Sequence, residues 1–487
     1  MANFEKDKNA PIKILYPGYL PAFSPPGAHP QFRHLADPPS GYKFVYVSFG
    51  KAGKIIHFLS STLMYLFSAF GNKLRRQKVW ESLRSKNVSR LKKFYYFPNP
   101  LSDEDVISIG FIDLLKAFPK ILVSAINLSS SAVRSGARLK DVLRFILSRD
   151  ILSQLYIPIN TRLAFLPTCP HILSQVPWVI EIEEVLTLFS RALPYEHMDT
   201  LPDSFDILSS PYYPCVKALI ESDNCKGIIC HVKSTAEAVP LIFQNDALRK
   251  KTFHIALGVR LPPIHLLEGR ERDGVIRILF TNSWNPWNEA FSNFYLRGGL
   301  DVLEAFSILS SRYPNLRLIL RTSLPPDLDK RYLKIIKTCP VEVVDQFLSE
   351  KELQKLKAKA DIFVLPSARL HVVSVVEAMA YGSAIVVSDG WGMQEYIEHG
   401  RNGIVIPGRF GKCSWVDKYG AVRVNYKPLF SSDPVIVKRL VEFLSTLIED
   451  KDLRKKLGWT ARKDAESKFS LENWNRYLKK AFDQAFS

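Results

Sequence analysis

The sequence predicts an α/β protein with two large domains, each built on a parallel β-sheet. Short apolar runs alternate with helical patterns, most clearly from Asp361 to Glu395, where strand, loop and helix follow each other twice. A chain of 487 residues exceeds the usual size of one domain. Its hydrophobic content of 47% and charged content of 23% are typical of a globular protein.

The charge and the cysteines narrow the class of protein. A net charge of +18 predicts an anionic partner, such as anionic lipid or a phosphorylated substrate, although a basic surface can also serve solubility alone. The six cysteines form no C-x-x-C pair, which favours free thiols in a reducing compartment. The polar N-terminus does not resemble a signal peptide, and no apolar run reaches the length of about 20 residues that spans a bilayer. We therefore expect a cytoplasmic protein.

The first half of the chain begins with a predicted strand from Ile12 to Tyr16, followed by a loop rich in proline and glycine. Gly27 in that loop would let the backbone approach a ligand, but a plain surface loop fits equally well. From Asp103 to Gln154 the pattern is mostly helical. Polar residues then follow strand ends, where they are either catalytic or acceptor-binding groups or ordinary loop residues: His171, Glu181 and Glu183.

The segment from Ile55 to Lys93 is a candidate membrane contact. Its first part, to Phe70, is apolar and helical in pattern, and residues 73–93 carry nine basic side chains against one acid. A basic segment beside an apolar helix suits an anionic membrane surface, so we expect peripheral association with the inner face of a membrane. A core helix followed by a solvated charged helix explains the pattern equally well. No nucleic-acid-binding motif surrounds the segment, and we expect no nucleic acid partner.

The second half restarts the alternation after a polar linker at residues 262–273. Ligands of open parallel sheets bind at the carboxyl ends of the strands, and Glu377 and Glu395 follow two such ends. An ionised carboxylate accepts hydrogen bonds from both hydroxyls of a nucleotide ribose. A helix that begins near Ser374 would point free backbone N–H groups at a phosphate. This edge therefore predicts a ligand site, and a nucleotide diphosphate would fit it.

Four segments of the second half, in this order, resemble the nucleotide-sugar-binding half of the retaining glycosyltransferases of family 4, also called group 1. The similar segments are FTN…LRGGLDVLEAF, VVDQFLSEKEL, ADIFVLPS…VVEAMAYGSAIVVSDGWGMQEYIEHGRNGIVI and EDKDLRKKLGW. The resemblance implies the GT-B fold, in which two Rossmann-like domains face each other across a cleft and C-terminal helices brace both. It divides the chain into an acceptor-side domain (1–265), a nucleotide-sugar domain (274–460) and terminal helices packing back toward the first domain (461–487).

The resemblance also assigns roles to residues of this sequence. Arg297 matches the family's basic residue before glycine and would act on the donor diphosphate. Glu377 matches the second acid of the family's Glu-x7-Glu motif, and Glu395 the acid after the glycine turn; which of them holds the ribose stays open. Asp345 to Phe347 would line the nucleotide base. The remaining candidates are His371, Ser374, Val375, Arg369 and Gly27 for the donor, and Arg297, Glu377 and His171 for catalysis.

The chain departs from the family pattern at the sugar side of this site. Arg369 stands where the family has the first Glu of the motif, and Leu370, His371 and Val372 replace its loop glycines. An arginine at this position would contact phosphate or an acidic sugar, because its planar fork matches both groups. The alternative is that activity has decayed.

The sequence thus predicts a metal-independent, retaining glycosyltransferase. It would move a hexose-type sugar from a UDP- or GDP-linked donor to a glycan or lipid-linked acceptor, as in polysaccharide biosynthesis, with no cofactor. Two alternatives stay open. One is a catalytically impaired GT-B protein that only binds nucleotide, and the other is a GT-B nucleotide-sugar epimerase.

Overall fold

The computed structural model describes residues 11–15, 37–48, 106–108, 111–147, 161–167, 176–189, 207–267, 273–282, 291–346, 348–367, 371–409, 419 and 431–487. Within them lie two separate parallel sheets, one in each half of the chain. The predicted α/β class with two sheets is confirmed.

The first sheet has seven parallel strands in the order β3-β2-β1-β4-β5-β6-β7. Their bounds are β1 Ile12–Leu15, β2 Tyr42–Ser48, β3 Val106–Ser108, β4 Leu163–Pro167, β5 Trp178–Ile182, β6 Cys225–Cys230 and β7 Thr252–His254. Helices α1 (Phe111–Arg134), α2 (Leu139–Leu147), α3 (Tyr213–Glu221) and α4 (Lys233–Ile242) accompany this sheet. The mostly helical pattern predicted for residues 103–154 corresponds to α1 and α2. The three-residue strand β3 precedes them and pairs with β2 at the edge of the sheet.

The second sheet has six parallel strands in the order β10-β9-β8-β11-β12-β13. They are β8 Ile276–Thr281, β9 Leu316–Arg321, β10 Val341–Val343, β11 Ile362–Leu365, β12 Ala384–Ser388 and β13 Ile404–Ile406. The helices are α5 Phe291–Leu296, α6 Gly299–Ser310, α7 Lys330–Thr338, α8 Glu350–Ala358, α9 Val372–Ala380, α10 Pro434–Glu449, α11 Lys451–Lys468 and α12 Leu471–Phe486. The central strands β11 and β12 are fully buried, as their apolar sequences predict for a sheet covered on both faces.

The last helix, α12, returns to the first sheet. Phe482 packs against the rings of Tyr42, Phe44 and Phe165, and Tyr42 donates a hydrogen bond of 2.6 Å to Asp483. Helix α11 instead packs against α9 and β12 of the second sheet, and it runs without a break across position 461. The terminal helices therefore contact both sheets.

The chain passes between the two halves twice, and the two passages pair with each other. Val259 donates its backbone N–H to Phe469 at 2.9 Å and accepts one from Leu471 at 3.0 Å. Gly258 lies beside them, and an added Cβ there would come within 2.6 Å of the Ser470 carbonyl oxygen. The absence of a side chain at position 258 allows this close approach.

Candidate functional site

The carboxyl edge of the second sheet holds a buried guanidinium, that of Arg297. It follows α5 directly, and Gly298 and Gly299 lead from it into α6. Gly298 adopts φ +78°, and an added Cβ would lie 2.7 Å from the carbonyl oxygen of Pro366, which follows β11. Because Gly298 has no side chain, the turn can pack against the end of β11, and this packing brings Arg297 to the sheet edge.

Neighbours from the β8 terminus and the start of α9 hold the guanidinium of Arg297. Its Nη1 donates to the Thr281 carbonyl at 3.0 Å and to Ser374 Oγ at 3.4 Å, and Nη2 lies 3.2 Å from His371 Nδ1. Since arginine only donates, Nδ1 of His371 accepts, which assigns the proton of a neutral His371 ring to Nε2. The structure therefore brings together the predicted residues Arg297, His371 and Ser374, with the buried Val375 next to them.

The Arg297 guanidinium lies beside the N-terminus of α9, whose N-cap residue is His371. Free backbone N–H groups give a helix start partial positive charge, so a buried cation beside it is unfavourable by itself. An anion relieves this repulsion, because it accepts from both the helix start and the guanidinium. The geometry therefore suits a phosphate group.

One turn further along α9, Glu377 forms an ion pair that the sequence pattern does not reveal. Lys357 Nζ of α8 lies 2.5 Å from Glu377 Oε2, and both side chains are mostly buried. Ser374 and Glu377 are three residues apart on one helix and therefore lie on the same side. Lys357 is a site residue that we missed. Its only sequence signal is one lysine among several on α8, and the packing of α8 against α9 is not encoded locally.

Polar groups continue along the sheet edge on the other side of β8. Ser323 donates to Asp345 Oδ1 at 2.5 Å, and Asn282 donates through Nδ2 to Thr322 Oγ1 at 3.2 Å. Asn282 is buried and accepts at its backbone carbonyl from Arg321 Nη1 at 3.1 Å. Asp345 thus lies at the end of β10 beside the β9 terminus, the region predicted to line the nucleotide base.

A buried ion pair braces the helix that follows Arg297. Arg409 Nη2 contacts Asp301 of α6, and the backbone N–H of Asp433 donates to the other Asp301 oxygen at 2.7 Å. Burial raises the pKa of Asp301, and the neighbouring Arg409 opposes that change. The pair ties α6 to the start of α10.

Glu395 lies elsewhere, at the contact between the two halves. Its Oε2 accepts from the Lys233 N–H at 2.5 Å, and its Oε1 accepts from the Ser234 N–H at 3.0 Å and from Ser234 Oγ at 2.8 Å. The carboxylate therefore occupies the N-terminus of α4, where a negative charge is favourable. Next to it, Tyr396 donates its hydroxyl to the His231 carbonyl at 2.6 Å.

Beneath that contact, the first sheet carries a buried carboxyl group at its own carboxyl edge. Glu181 Oε2 on β5 lies 3.5 Å from His231 Nε2, and both side chains are almost fully buried. Burial raises the pKa of Glu181 to about 8. Glu181 is therefore mostly protonated at neutral pH in the folded protein.

Several predicted site residues lie outside the described residues: Gly27, His171, Phe347, Arg369 and the segment 55–93. Their assignments stay predictions. The described side chains contain no group of three or more His, Cys, Asp or Glu residues suited to a metal ion. Over the described ranges, none of the helices combines the length and the apolar character that a membrane span requires.

Comparison with known proteins identifies the part of the chain that carries this site. Residues 291–417 match the family model described as glycosyl transferases group 1. This segment is similar in sequence to the group 1 glycosyl transferases. The matched segment includes Arg297, His371 and Ser374 together with Glu377 and Glu395.

One curated relative matches part of the chain. Spore coat protein SA of Bacillus subtilis (strain 168) is 29% identical over 137 residues, which is 27% of this chain and 28% of the relative. The match therefore spans just over a quarter of the length of either protein.

Two solved structures share the fold over nearly the full chain. A glycosyltransferase from Rickettsia africae ESF-5 covers 98% of this chain and 99% of its own, with a TM-score of 0.52 and 14% identity. Anabaena Alr3699/HepE in complex with UDP covers 97% of this chain and 99% of its own, with a TM-score of 0.51 and 13% identity. The two parallel sheets of the present chain form the GT-B fold, as the resemblance predicted.

Proposed function

We propose that this protein is a retaining glycosyltransferase that moves a sugar from a nucleotide diphosphate sugar to a glycan or lipid-linked acceptor. The observation that carries the proposal is the buried Arg297 guanidinium at the N-terminus of α9, held by Ser374 and His371. Two positive features converge there, and a diphosphate would accept hydrogen bonds from both. The matching group 1 domain contains all of these residues.

The donor would lie along the carboxyl edge of the second sheet. Its diphosphate would accept from Arg297, from the first N–H groups of α9 and from Ser374. Glu377, oriented by Lys357, would accept from the ribose hydroxyls. Asp345 would contact the base edge, with Phe347 beside it. UDP is one candidate nucleotide, since Alr3699/HepE was solved in complex with UDP, and GDP is the other.

The chemistry would consist mainly of positioning and of stabilising the leaving group. The bond between the anomeric carbon and the diphosphate would break, a bond to an acceptor hydroxyl oxygen would form with the same anomeric configuration, and the hydroxyl proton would pass to the released diphosphate. Negative charge develops on the leaving diphosphate, where Arg297 and the α9 N-terminus already point. We propose that these groups act without a metal ion. Arg369 would contact a phosphate or an acidic sugar.

Glu395 has a different place in this proposal from the one that the resemblance implies. Its carboxylate already accepts three hydrogen bonds from the start of α4. We propose that it joins the two domains and that Glu377 alone holds the ribose. The acceptor would lie on the first domain, and His171 remains a candidate base there. The segment 55–93 remains a candidate for peripheral contact with a membrane.

Donor consumption by the purified protein tests the proposal. UDP- and GDP-linked sugars, neutral and acidic, are incubated with the protein, and the released nucleotide is measured with and without glycan and lipid-linked acceptors. We expect one donor to be consumed, and Arg297→Gln to reduce its turnover at least about 100-fold, because a charge-assisted bond to the leaving group is lost. Arg312→Gln, which changes an exposed arginine of the same domain, is the matched control.

Two outcomes would redirect the assignment. Tight nucleotide binding with no consumption of any donor indicates a catalytically impaired protein, and conversion of the donor to an isomer without acceptor indicates an epimerase. In the same assay, an unchanged donor preference after Arg369→Glu would exclude the proposed contact of Arg369 with the donor.

A further inference from the structure

Helix α1 (Phe111–Arg134) exposes a continuous apolar face. Six of its seven large exposed side chains follow one another at steps of three, three, four, four and seven residues from Ile112, which places them on one side of the helix, and Val123 lies at the margin of that side. Each of them is between 44% and 65% exposed. They are Ile112, Leu115, Phe118, Leu122, Val123, Ile126 and Val133.

This face is not the one that attaches α1 to the first domain. Ala117, Leu128 and Ala132 lie on the other side of the helix and are buried, and α1 packs there against α2 and α3. A surface helix of a globular protein needs one apolar stripe, which α1 has already buried. The exposed face is therefore a second stripe, larger than the isolated apolar side chains that protein surfaces normally carry.

Helix α2 extends the same surface. Its residues Leu139 and Leu143 are exposed, whereas Val142 and Phe145 are buried and hold the helix in place. Only residues 135–138 separate α1 from α2, so these exposed leucines follow closely after Val133, the last residue of the α1 stripe. We name this surface, formed by the outward apolar residues of α1 and α2, the α1–α2 face.

Exposed cations border the α1–α2 face. Lys116, Lys120 and Arg134 lie at one edge of the apolar stripe of α1, by the helical spacing of about 100° per residue. Helix α2 and the turn before it add Arg138, Lys140 and Arg144, which are all exposed. The acids are fewer: Asp113 is partly exposed, and Asp141 is buried and bonded to Arg138 at 2.6 Å.

We propose that the α1–α2 face docks on an anionic bilayer surface. The apolar stripe would enter the boundary between headgroups and acyl chains, and the bordering lysines and arginines would contact the lipid phosphates. The charges disfavour a second copy of this chain, because a two-fold contact through the same face would bring its cations near those of the partner. The same cations complement anionic headgroups, and the apolar side chains between them suit the acyl region of the bilayer.

The proposal concerns binding and does not depend on sugar transfer. It uses none of the residues of the donor site and none of residues 55–93. One consequence does rest on the proposed function: docking through the first domain would bring the acceptor side to the lipid surface, which favours a lipid-linked acceptor over a soluble glycan.

Vesicle co-sedimentation of the full chain tests the α1–α2 face. The vesicles contain phosphatidylcholine alone, or phosphatidylcholine with about one third phosphatidylglycerol. The test variant is Phe118→Glu/Leu122→Glu/Ile126→Glu. The matched control is Leu241→Glu/Ile264→Glu/Val435→Glu, which adds the same charge at exposed apolar sites outside the face. All six positions are exposed, so we expect both variants to fold, and a thermal melt checks this.

We expect the wild type to bind the anionic vesicles at least about tenfold more strongly than the neutral ones, since each cation adds attraction to anionic lipid. The face variant should lose at least about tenfold in the partition coefficient, and the control variant should bind like the wild type. Lys116→Gln/Lys120→Gln/Arg134→Gln should lower binding to anionic vesicles only, whereas Lys330→Gln/Lys334→Gln/Lys337→Gln on α7 should not.

Hydrogen–deuterium exchange gives a readout that needs no variant. Peptides from residues 112–126 should exchange more slowly when anionic vesicles are present, and peptides from α7 should not change. Equal vesicle binding by the face variant and the wild type would overturn the proposal, as would no binding of the wild type. A wild-type dimer in sedimentation velocity that the face variant abolishes would assign the surface to self-association instead.

Discussion

Replacing Glu395 by glutamine should loosen the contact between the two domains without impairing the donor site. The carboxylate of Glu395 accepts three hydrogen bonds from Lys233 and Ser234 at the start of α4, over 2.5 to 3.0 Å. Glutamine keeps one acceptor oxygen and places an NH2 group opposite the backbone N–H groups. The variant therefore loses both the charge and part of the hydrogen bonding at this contact.

The magnitude follows from the number and exposure of these bonds. A hydrogen bond to a charged group contributes about 1.5–3 kcal/mol when it is shielded from water. Glu395 is exposed, so solvent screening reduces the sum, and we expect a loss of roughly 1–2 kcal/mol for the three bonds together. A double-mutant cycle with Ser234→Ala should give a coupling of about 0.5–1 kcal/mol, because only one of the three bonds uses the serine hydroxyl.

Urea unfolding of the wild type, both single variants and the double variant measures this coupling. Glu398→Gln is the matched control, since Glu398 is exposed and pairs with Arg401 inside its own domain. A coupling near zero would refute the inter-domain role of Glu395. The role would also be refuted if Glu395→Gln unfolds like the wild type but binds nucleotide at least about tenfold more weakly. That result would assign Glu395 to the donor site.

Three further predictions concern stability. Gly298→Ala should destabilise the protein by about 2–4 kcal/mol, because an added Cβ would lie 2.7 Å from Pro366. Gly136→Ala is the control, since Gly136 also has a positive φ but has no atom near an added Cβ, and its loss should be smaller. Urea unfolding of both variants measures the two losses, and equal losses would contradict the prediction. Lys357→Met should cost about 1–2 kcal/mol in the same measurement, because the mostly buried Glu377 loses its ion partner, whereas Lys355→Met on the exposed side of α8 should cost less than about 0.5 kcal/mol. Burial raises the pKa of Glu181 to about 8, so the folded protein keeps a proton that the unfolded chain releases near pH 4.5. This contribution to the free energy of unfolding is complete below pH 4.5 and is lost as the pH rises to 8. Glu181→Gln should therefore flatten the fall in stability between pH 5 and pH 8, and an unchanged slope would show that Glu181 does not cause that fall.

The central strands of the second sheet follow from local sequence. Buried parallel strands are short continuous apolar runs, and this pattern located β11 and β12 together with the helix that begins near Ser374. Arg297 was assigned through the family resemblance, in which it matches the basic residue before glycine. The structure gives a reason for that glycine, because the turn at Gly298 has no room for a side chain beside Pro366.

The contacts between elements that are distant in sequence were not predictable. Lys357 and Glu377 meet because α8 packs beside α9, and no local pattern fixes that register. Glu395 meets α4 only when the two domains come together, so a strand-end carboxylate looked like a ligand for ribose. The second apolar stripe of α1 was equally hidden, since periodicity alone does not tell which apolar side chains become buried.

Calorimetric titration of UDP and GDP into the protein tests the central claim, that the edge beside Arg297 and α9 is a nucleotide diphosphate site. We predict that one of the two nucleotides binds with one site per chain and a Kd in the micromolar range, about −8 kcal/mol. Glu377→Gln should weaken that binding at least about tenfold, since the ribose loses an ionised acceptor, whereas Glu342→Gln at an exposed position of β10 should bind like the wild type. Saturable binding of neither nucleotide, or equal affinity in the wild type and Glu377→Gln, would contradict the assignment.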